Sequence, residues 1–262
     1  MTATTPRPHV IVAERVSKEY RLRQAKQALF EALVRRVSRT AAPARTVTAL
    51  RDVSFTVAHG ESLAVIGANG AGKSTLLKIL AGITVPTSGR VEVRAQVATQ
   101  LALGSGFHPY LSGRDNAFLQ GTILGMSNAE VSRLLPRIVT FAGLEGAIDR
   151  PLWTYSTGMV ARLGFAVAAH VEFECLLLDE ALAAGDLGFR DRCEDTLRRF
   201  RSSGATLVVV SHGTENVRRL CDRALWLDGG CVRASGAVDD VVREYEAWAG
   251  GTPRRPRIEA AS

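Results

Sequence analysis

Gly67-Ala68-Asn69-Gly70-Ala71-Gly72-Lys73-Ser74-Thr75 matches the pattern G-x-x-x-x-G-K-[S/T] at every fixed position. Its surroundings fit as well. Ser62-Leu63-Ala64-Val65-Ile66 reads as a short buried strand, and Thr75 to Ala81 reads as a helix. Strand, glycine-rich turn and helix together give the pattern its meaning. Glycines let backbone N–H groups converge on phosphates, and the helix N-terminus adds a positive end. Gly67, Asn69, Gly70, Ala71, Gly72 and Thr75 are therefore expected to wrap the phosphates. Lys73 is expected to reach the β- and γ-phosphates, and the Ser74 hydroxyl to ligate Mg²⁺.

Working downstream, Cys175-Leu176-Leu177-Leu178 is a continuous apolar run that ends in Asp179-Glu180. Such a run reads as a central strand buried on both faces. Acids at the carboxyl end of a parallel strand face the ligand crevice. Asp179 is placed to hold Mg²⁺, and Glu180 to activate an attacking water. Leu207-Val208-Val209-Val210 is a second such run, followed by Ser211-His212, and a helical stretch from Phe189 to Ser202 separates the two. Strands alternating with helices predict an α/β fold with a largely parallel sheet. Residues 112–170 read mostly helical, with breaks near Gly143 to Gly146 and at Pro151. Tyr155-Ser156-Thr157-Gly158-Met159 lies there, before a helix expected to begin near Val160.

Upstream, residues 10–20 read as a first strand ending at Tyr20. Leu50 to Val57 alternates like a strand and leads to a turn at His59-Gly60. Between them, Leu29, Phe30, Leu33, Val34 and Val37 share one helical face, and Arg35, Arg36 and Arg39 follow near its end. The segment 25–39 permits two readings: contact with a membrane or membrane partner, or packing on the protein's own surface.

Bulk properties set limits. The 262 residues are 46% hydrophobic and 23% charged, ordinary values for a soluble globular protein. No apolar run approaches the ~20 residues that span a bilayer, and the N-terminus lacks the apolar core of a signal peptide. A cytoplasmic protein is expected. Cys175, Cys193, Cys221 and Cys231 have no metal-site spacing and read as reduced. The net charge of +7 is spread along the chain with few aromatics between the arginines, so no nucleic acid partner is expected.

The ordered set of phosphate loop, Ser156–Gly158, acidic strand, Asp186 and His212 resembles the ATP-binding cassette ATPases over roughly residues 10–245. Lys73 and Asp179 stand 106 residues apart, enough for the helical insertion of that family. The resemblance implies an ATPase core with a largely parallel sheet, an antiparallel β subdomain, and a helical subdomain (about 110–170) carrying the signature. It implies ATP and Mg²⁺ as cofactors, with Tyr20 stacking on adenine and His212 steadying the γ-phosphate. Two copies are expected to pair head to tail, so that Ser156, Gly158 and Asp186 of one complete the site of the other. Gln100 is the glutamine nearest the metal-contacting loop position, although spacing against Phe107-His108-Pro109 places that position closer to Ala102 or Leu103.

Val16-Ser17-Lys18-Glu19-Tyr20, Leu103 to Pro109, the signature at 155–159 and Ala181 to Phe189 narrow the resemblance to one branch. That branch exports lipid-linked polysaccharides such as O-antigens, teichoic acids and cell-wall galactans. Its insert before the phosphate loop matches residues 22–46. A polytopic permease in two copies is then the implied partner, holding the subunit on the cytoplasmic face of a bacterial membrane. A domain over 1–250, a basic tail over 251–262 and no added carbohydrate-binding domain are expected. A soluble cassette ATPase, an importer subunit and a phosphate-loop kinase or GTPase are the competing classes. The signature and the acidic pair argue against the kinase and GTPase, and the insert argues against the importer.

Overall fold

A computed structural model describes residues 8–22, 45–95, 97–99, 106–171, 173–179, 187–211 and 213–250. The strands are β1 (His9–Leu22), β2 (Arg45–Ala58), β3 (Ser62–Ile66), β4 (Ser88–Val93), β5 (Val97–Thr99), β6 (Cys175–Asp179), β7 (Thr206–Val210), β8 (Arg223–Asp228) and β9 (Cys231–Ala237). The helices are α1 (Lys73–Leu80), α2 (Gly113–Ile123), α3 (Asn128–Ala142), α4 (Thr157–Ala168), α5 (Leu187–Ser202), α6 (Thr214–Leu220) and α7 (Val238–Gly250).

The central sheet runs β5-β6-β7-β3-β8-β9. Its first four pairings are parallel, and only β8–β9 is antiparallel. β3 and β7 are buried at every residue, as their unbroken apolar sequences require. A second sheet, β2-β1-β4, is antiparallel throughout. β1 is longer than the sequence suggested: it runs past Tyr20 to Leu22, which pairs with Arg45. Residues 23–44, with the 25–39 segment, lie outside the described residues; the flanking Leu22 and Arg45 pair in one ladder.

One core fills the space between the antiparallel sheet, α1 and one face of the central sheet, with Ile11, Leu50, Leu63, Leu77 and Val208 at its centre. A second lies on the opposite face under α5, α6 and α7, around Trp226, Leu197, Val217 and Val242. Alternate strand residues supply the two cores, Val65 and Leu177 to the first, Ala64 and Leu176 to the second. Trp226 is fully buried, and Tyr245 and Trp248 of α7 meet it edge to face.

The helical layer has its own core, with Leu135, Ile138, Leu144 and Leu163 buried between α2, α3 and α4. Ser112 and Ser127 start α2 and α3 through reciprocal capping boxes with Asp115 and Glu130. Gly143 in the left-handed conformation ends α3.

Candidate active site

The loop between β3 and α1 is shaped by close approach of the chain. A side chain on Gly67 would place its Cβ 2.2 Å from the Leu227 carbonyl oxygen. One on Gly72 would meet the Ala49 carbonyl oxygen at 2.4 Å. Both residues also have positive φ, 149° and 102°. Glycine is thus demanded twice, by conformation and by space. Gly72 is the N-cap of α1 and has no side chain to cap it, so the first-turn N–H groups open onto the loop.

Lys73 is buried, and its Nζ donates to the carbonyls of Gly67 at 2.8 Å and Ala68 at 3.1 Å. The two carbonyl oxygens give the buried ammonium hydrogen-bond partners inside the loop. Asn69, Gly70 and Ser74 are exposed at the loop's mouth; Ala71 is buried beneath, and Thr75 is half-buried.

Asp179 is the half-buried last residue of β6, after four buried ones. It aligns with Val210 of β7, and Val210 aligns with Val65 of β3. The acid therefore stands level with the end of the strand that feeds the phosphate loop, two strands across. Strand spacing of about 4.8 Å puts the two strand ends roughly 10 Å apart. Ser74 brings a hydroxyl and Asp179 a carboxylate to this end of the sheet. This oxygen-only, sparse donor set suits Mg²⁺, which keeps waters and takes substrate oxygens to complete its shell. Bound there, the ion would neutralise charge on the phosphates. No cluster of three or more His, Cys, Asp or Glu occurs among the described residues.

Tyr20 is 38% exposed, with Lys18 Nζ 5.2 Å from its ring centroid. It pairs with Val47 on β2, two residues before the Ala49 carbonyl that abuts Gly72. The exposed ring stands roughly 7 Å along the strand from the residue that abuts the loop.

Ser156 is the N-cap of α4 and accepts a hydrogen bond from the Met159 amide at 3.2 Å. The helix thus starts at Thr157 rather than near Val160, because the cap satisfies an N–H that would otherwise be orphaned. Ser156 and Thr157 are exposed, and Gly158 is half-buried. Among the described residues, a Cβ on Gly158 would meet only Ser156 Oγ, at 3.8 Å. Glu180, Asp186, His212 and Gln100 lie outside the described residues.

Two positioning residues were missed in the sequence. Tyr155 is buried, and its Oη donates to the Ala147 carbonyl at 2.7 Å, anchoring the residue before Ser156. Burial pushes its phenol pKa up. Asn116, fully buried on α2, accepts from the His108 amide at 2.7 Å and donates to the His108 and Ser112 carbonyls at 3.0 and 2.8 Å. An asparagine four residues after a capping serine was the available signal.

Comparison with known proteins then decides the family. The family model described as ABC transporter matches residues 50–183, from β2 through the acidic strand. The chain belongs to the ABC transporter family. As an ATP-binding cassette it binds ATP and is an ATP-hydrolysing enzyme. It is 45% identical over 202 residues to the O-antigen export system ATP-binding protein RfbB of Klebsiella pneumoniae, spanning 77% of this chain and 82% of that protein. It is 40% identical over 200 residues to the teichoic acids export ATP-binding protein TagH of Bacillus cereus, spanning 76% of this chain and 36% of that protein. Among solved structures, the cassette superposes at TM-score 0.70 on a dimeric post-hydrolysis ATP-binding cassette bound to ADP and Pi. That match is 21% identical and covers 87% of this chain and 98% of the other, so it supports the fold.

Proposed function

We propose that this cassette is the ATPase subunit of an exporter that moves a lipid-linked polysaccharide across the cytoplasmic membrane. The observation that carries the reading is its identity, over three quarters of its length, with ATP-binding proteins named for O-antigen and teichoic acid export. Residues 1–250 form the nucleotide-binding domain, with a helical part at 110–170, and 251–262 a basic tail.

Two copies pair head to tail around two Mg·ATP. The exposed Ser156 and half-buried Gly158 support this arrangement. They belong to the helical layer, whereas the phosphate loop belongs to the first core. A glycine whose added Cβ would meet only Ser156 Oγ among the described residues fits an outside group coming close. Tyr20 stacks on adenine, residues 67–75 hold the phosphates, and Ser74 and Asp179 hold Mg²⁺. Glu180 orients and polarises the attacking water, with His212 beside the γ-phosphate; Asp186 and Gln100 complete the metal and dimer contacts.

ATP can drive a partner only through its differential affinity for the open and closed pair. That partner is a membrane permease in two copies. The helical layer exposes Tyr110 (77%) and Trp153 (66%) on neighbouring segments, the Trp153 amide donating to the Pro109 carbonyl at 2.8 Å. Exposed aromatics grouped this way mark a contact surface. No helix among the described residues is long and apolar enough to cross a membrane, so attachment through the permease accounts for a peripheral place on the cytoplasmic face.

The test is co-purification. The tagged chain, taken from gently solubilised membranes, is expected to bring a polytopic membrane protein with vanadate-sensitive ATP turnover. Recovery with soluble proteins or ribosomes alone would refute the exporter assignment.

A further inference from the structure

A cavity of about 770 Å³ lies away from the nucleotide loop, where α3, the end of α4 and α5 meet. Its size falls within the range of small-molecule pockets. Arg137 of α3 and Arg192 and Arg199 of α5 line it, together with Phe141, His170 and Phe200.

Several arginines of this surface pair with carboxylates, Arg114 with Asp149, Arg218 with Glu246 and Arg223 with Glu61. Among the described residues no carboxylate pairs with Arg137, Arg192 or Arg199. Asp195, on an adjoining groove that Arg192 and Arg199 also line, pairs with Arg198 at 3.3 Å. Two of the three guanidiniums are also held in place by neutral groups. Arg192 lies over the Phe189 ring at 5.7 Å, and Arg199 donates to Thr196 Oγ1 at 3.0 Å. Their forks are positioned before any ligand arrives, which reduces the entropy lost on binding.

Three guanidiniums that pair with no carboxylate among the described residues make this concavity attractive to an anion. Guanidinium forks match phosphate oxygens in pairs. The rings give the rest of the ligand's character. His170 is fixed by an Nδ1 contact with the Ala166 carbonyl at 2.7 Å and meets Phe141 edge-on; Phe200 packs against Phe173. We infer that this cavity binds a phosphate or diphosphate ester carrying an apolar group, its anion held by Arg137, Arg192 and Arg199 and its apolar part against Phe141 and Phe200. Such a ligand bridges the helical layer and α5, two parts that otherwise meet through the Phe141–Phe165–Phe189 cluster.

The experiment is calorimetric titration of the full chain carrying Lys73→Ala, which removes the main cation of the nucleotide loop. The probes are inorganic pyrophosphate and phenyl phosphate. Both are expected to bind. Arg137→Gln and Arg199→Gln should each weaken binding at least roughly tenfold, the scale of a lost charged hydrogen bond. Phe200→Ala should weaken phenyl phosphate and spare pyrophosphate, and Arg198→Gln should change neither. Flotation with phosphatidic acid vesicles against phosphatidylcholine vesicles separates the sources. Arg137- and Arg199-dependent flotation names a lipid headgroup, and binding of the soluble probes without it names a free phosphate ester. No binding of either probe at millimolar concentration with no such flotation, or binding unchanged by both arginine substitutions, overturns the inference.

Discussion

Lys73 turns back across the loop that precedes it and donates to the Gly67 carbonyl at 2.8 Å, closing a ring of main chain around its own ammonium. The same ammonium is the loop's strongest attraction for phosphate. Lys73→Ala is expected to weaken ATP binding by roughly ten- to a hundredfold, the worth of a charged hydrogen bond. Equilibrium titration with a fluorescent ATP analogue checks this. An unchanged affinity would remove Lys73 from the site.

Glu180→Gln separates binding from chemistry. The amide keeps the shape and loses the basicity, so ATP affinity should persist while turnover falls about 10²- to 10⁴-fold, the usual contribution of a positioned base. Steady-state ATPase assays alongside nucleotide binding measure both. Turnover at the wild-type rate would return the role to another residue.

Tyr155→Phe removes one hydroxyl and its bond to Ala147. Stability should drop by about 1 kcal/mol in urea unfolding. If Tyr155 also positions Ser156, kcat should fall while ATP affinity stays. The substitution carries a pH signature too. Burial raises the folded-state phenol above its ordinary value of 10.0. The unfolded chain therefore loses its proton first, and the stabilisation is whole below pH 10 and fades as pH climbs toward the folded value. A phenylalanine ring in its place has no proton to lose, so the variant's stability should vary less with pH in that alkaline range.

The thiols make a simpler prediction. Burial pushes Cys175, Cys193 and Cys221 up to about 12, while Cys231 sits half-exposed at the start of β9. Thiolate is the reactive form. Iodoacetamide at pH 8 should label Cys231 on the native protein and reach the other three only after denaturation. Mass spectrometry of the peptides reads the order. Early labelling of Cys175 would contradict a closed central sheet.

What could be read in the sequence follows from range. The phosphate loop, β3, β6 and β7 are local: a short apolar run or fixed glycine spacing specifies each without help from distant residues. The start of α4 was misplaced by a few residues because Thr157 and Gly158 are poor helix formers, and the cap on Ser156 outweighs them. The full length of β1 was missed because its last residues, Arg21 and Leu22, gain stability from the β2 ladder, from their partners Thr46 and Arg45. The grip of Asn116 on the loop at 108–112, the Tyr155–Ala147 bond and the convergence of Arg137 with Arg199 exist only after folding brings separate segments together. Glu180, Asp186, His212 and Gln100 stand on the sequence reading.

β7 lies between the strand that leads to the loop and the strand that ends in Asp179, and Val210 holds both in register. The distance across the crevice is therefore dimensioned by main-chain hydrogen bonds, as rungs set the width of a ladder. Side chains along β7 can be exchanged for others of similar volume without resizing it. A protein built this way can drift in its interior for a long time while its reactive groups keep their spacing, and the changes that retune it are those made in the loops at the strand ends.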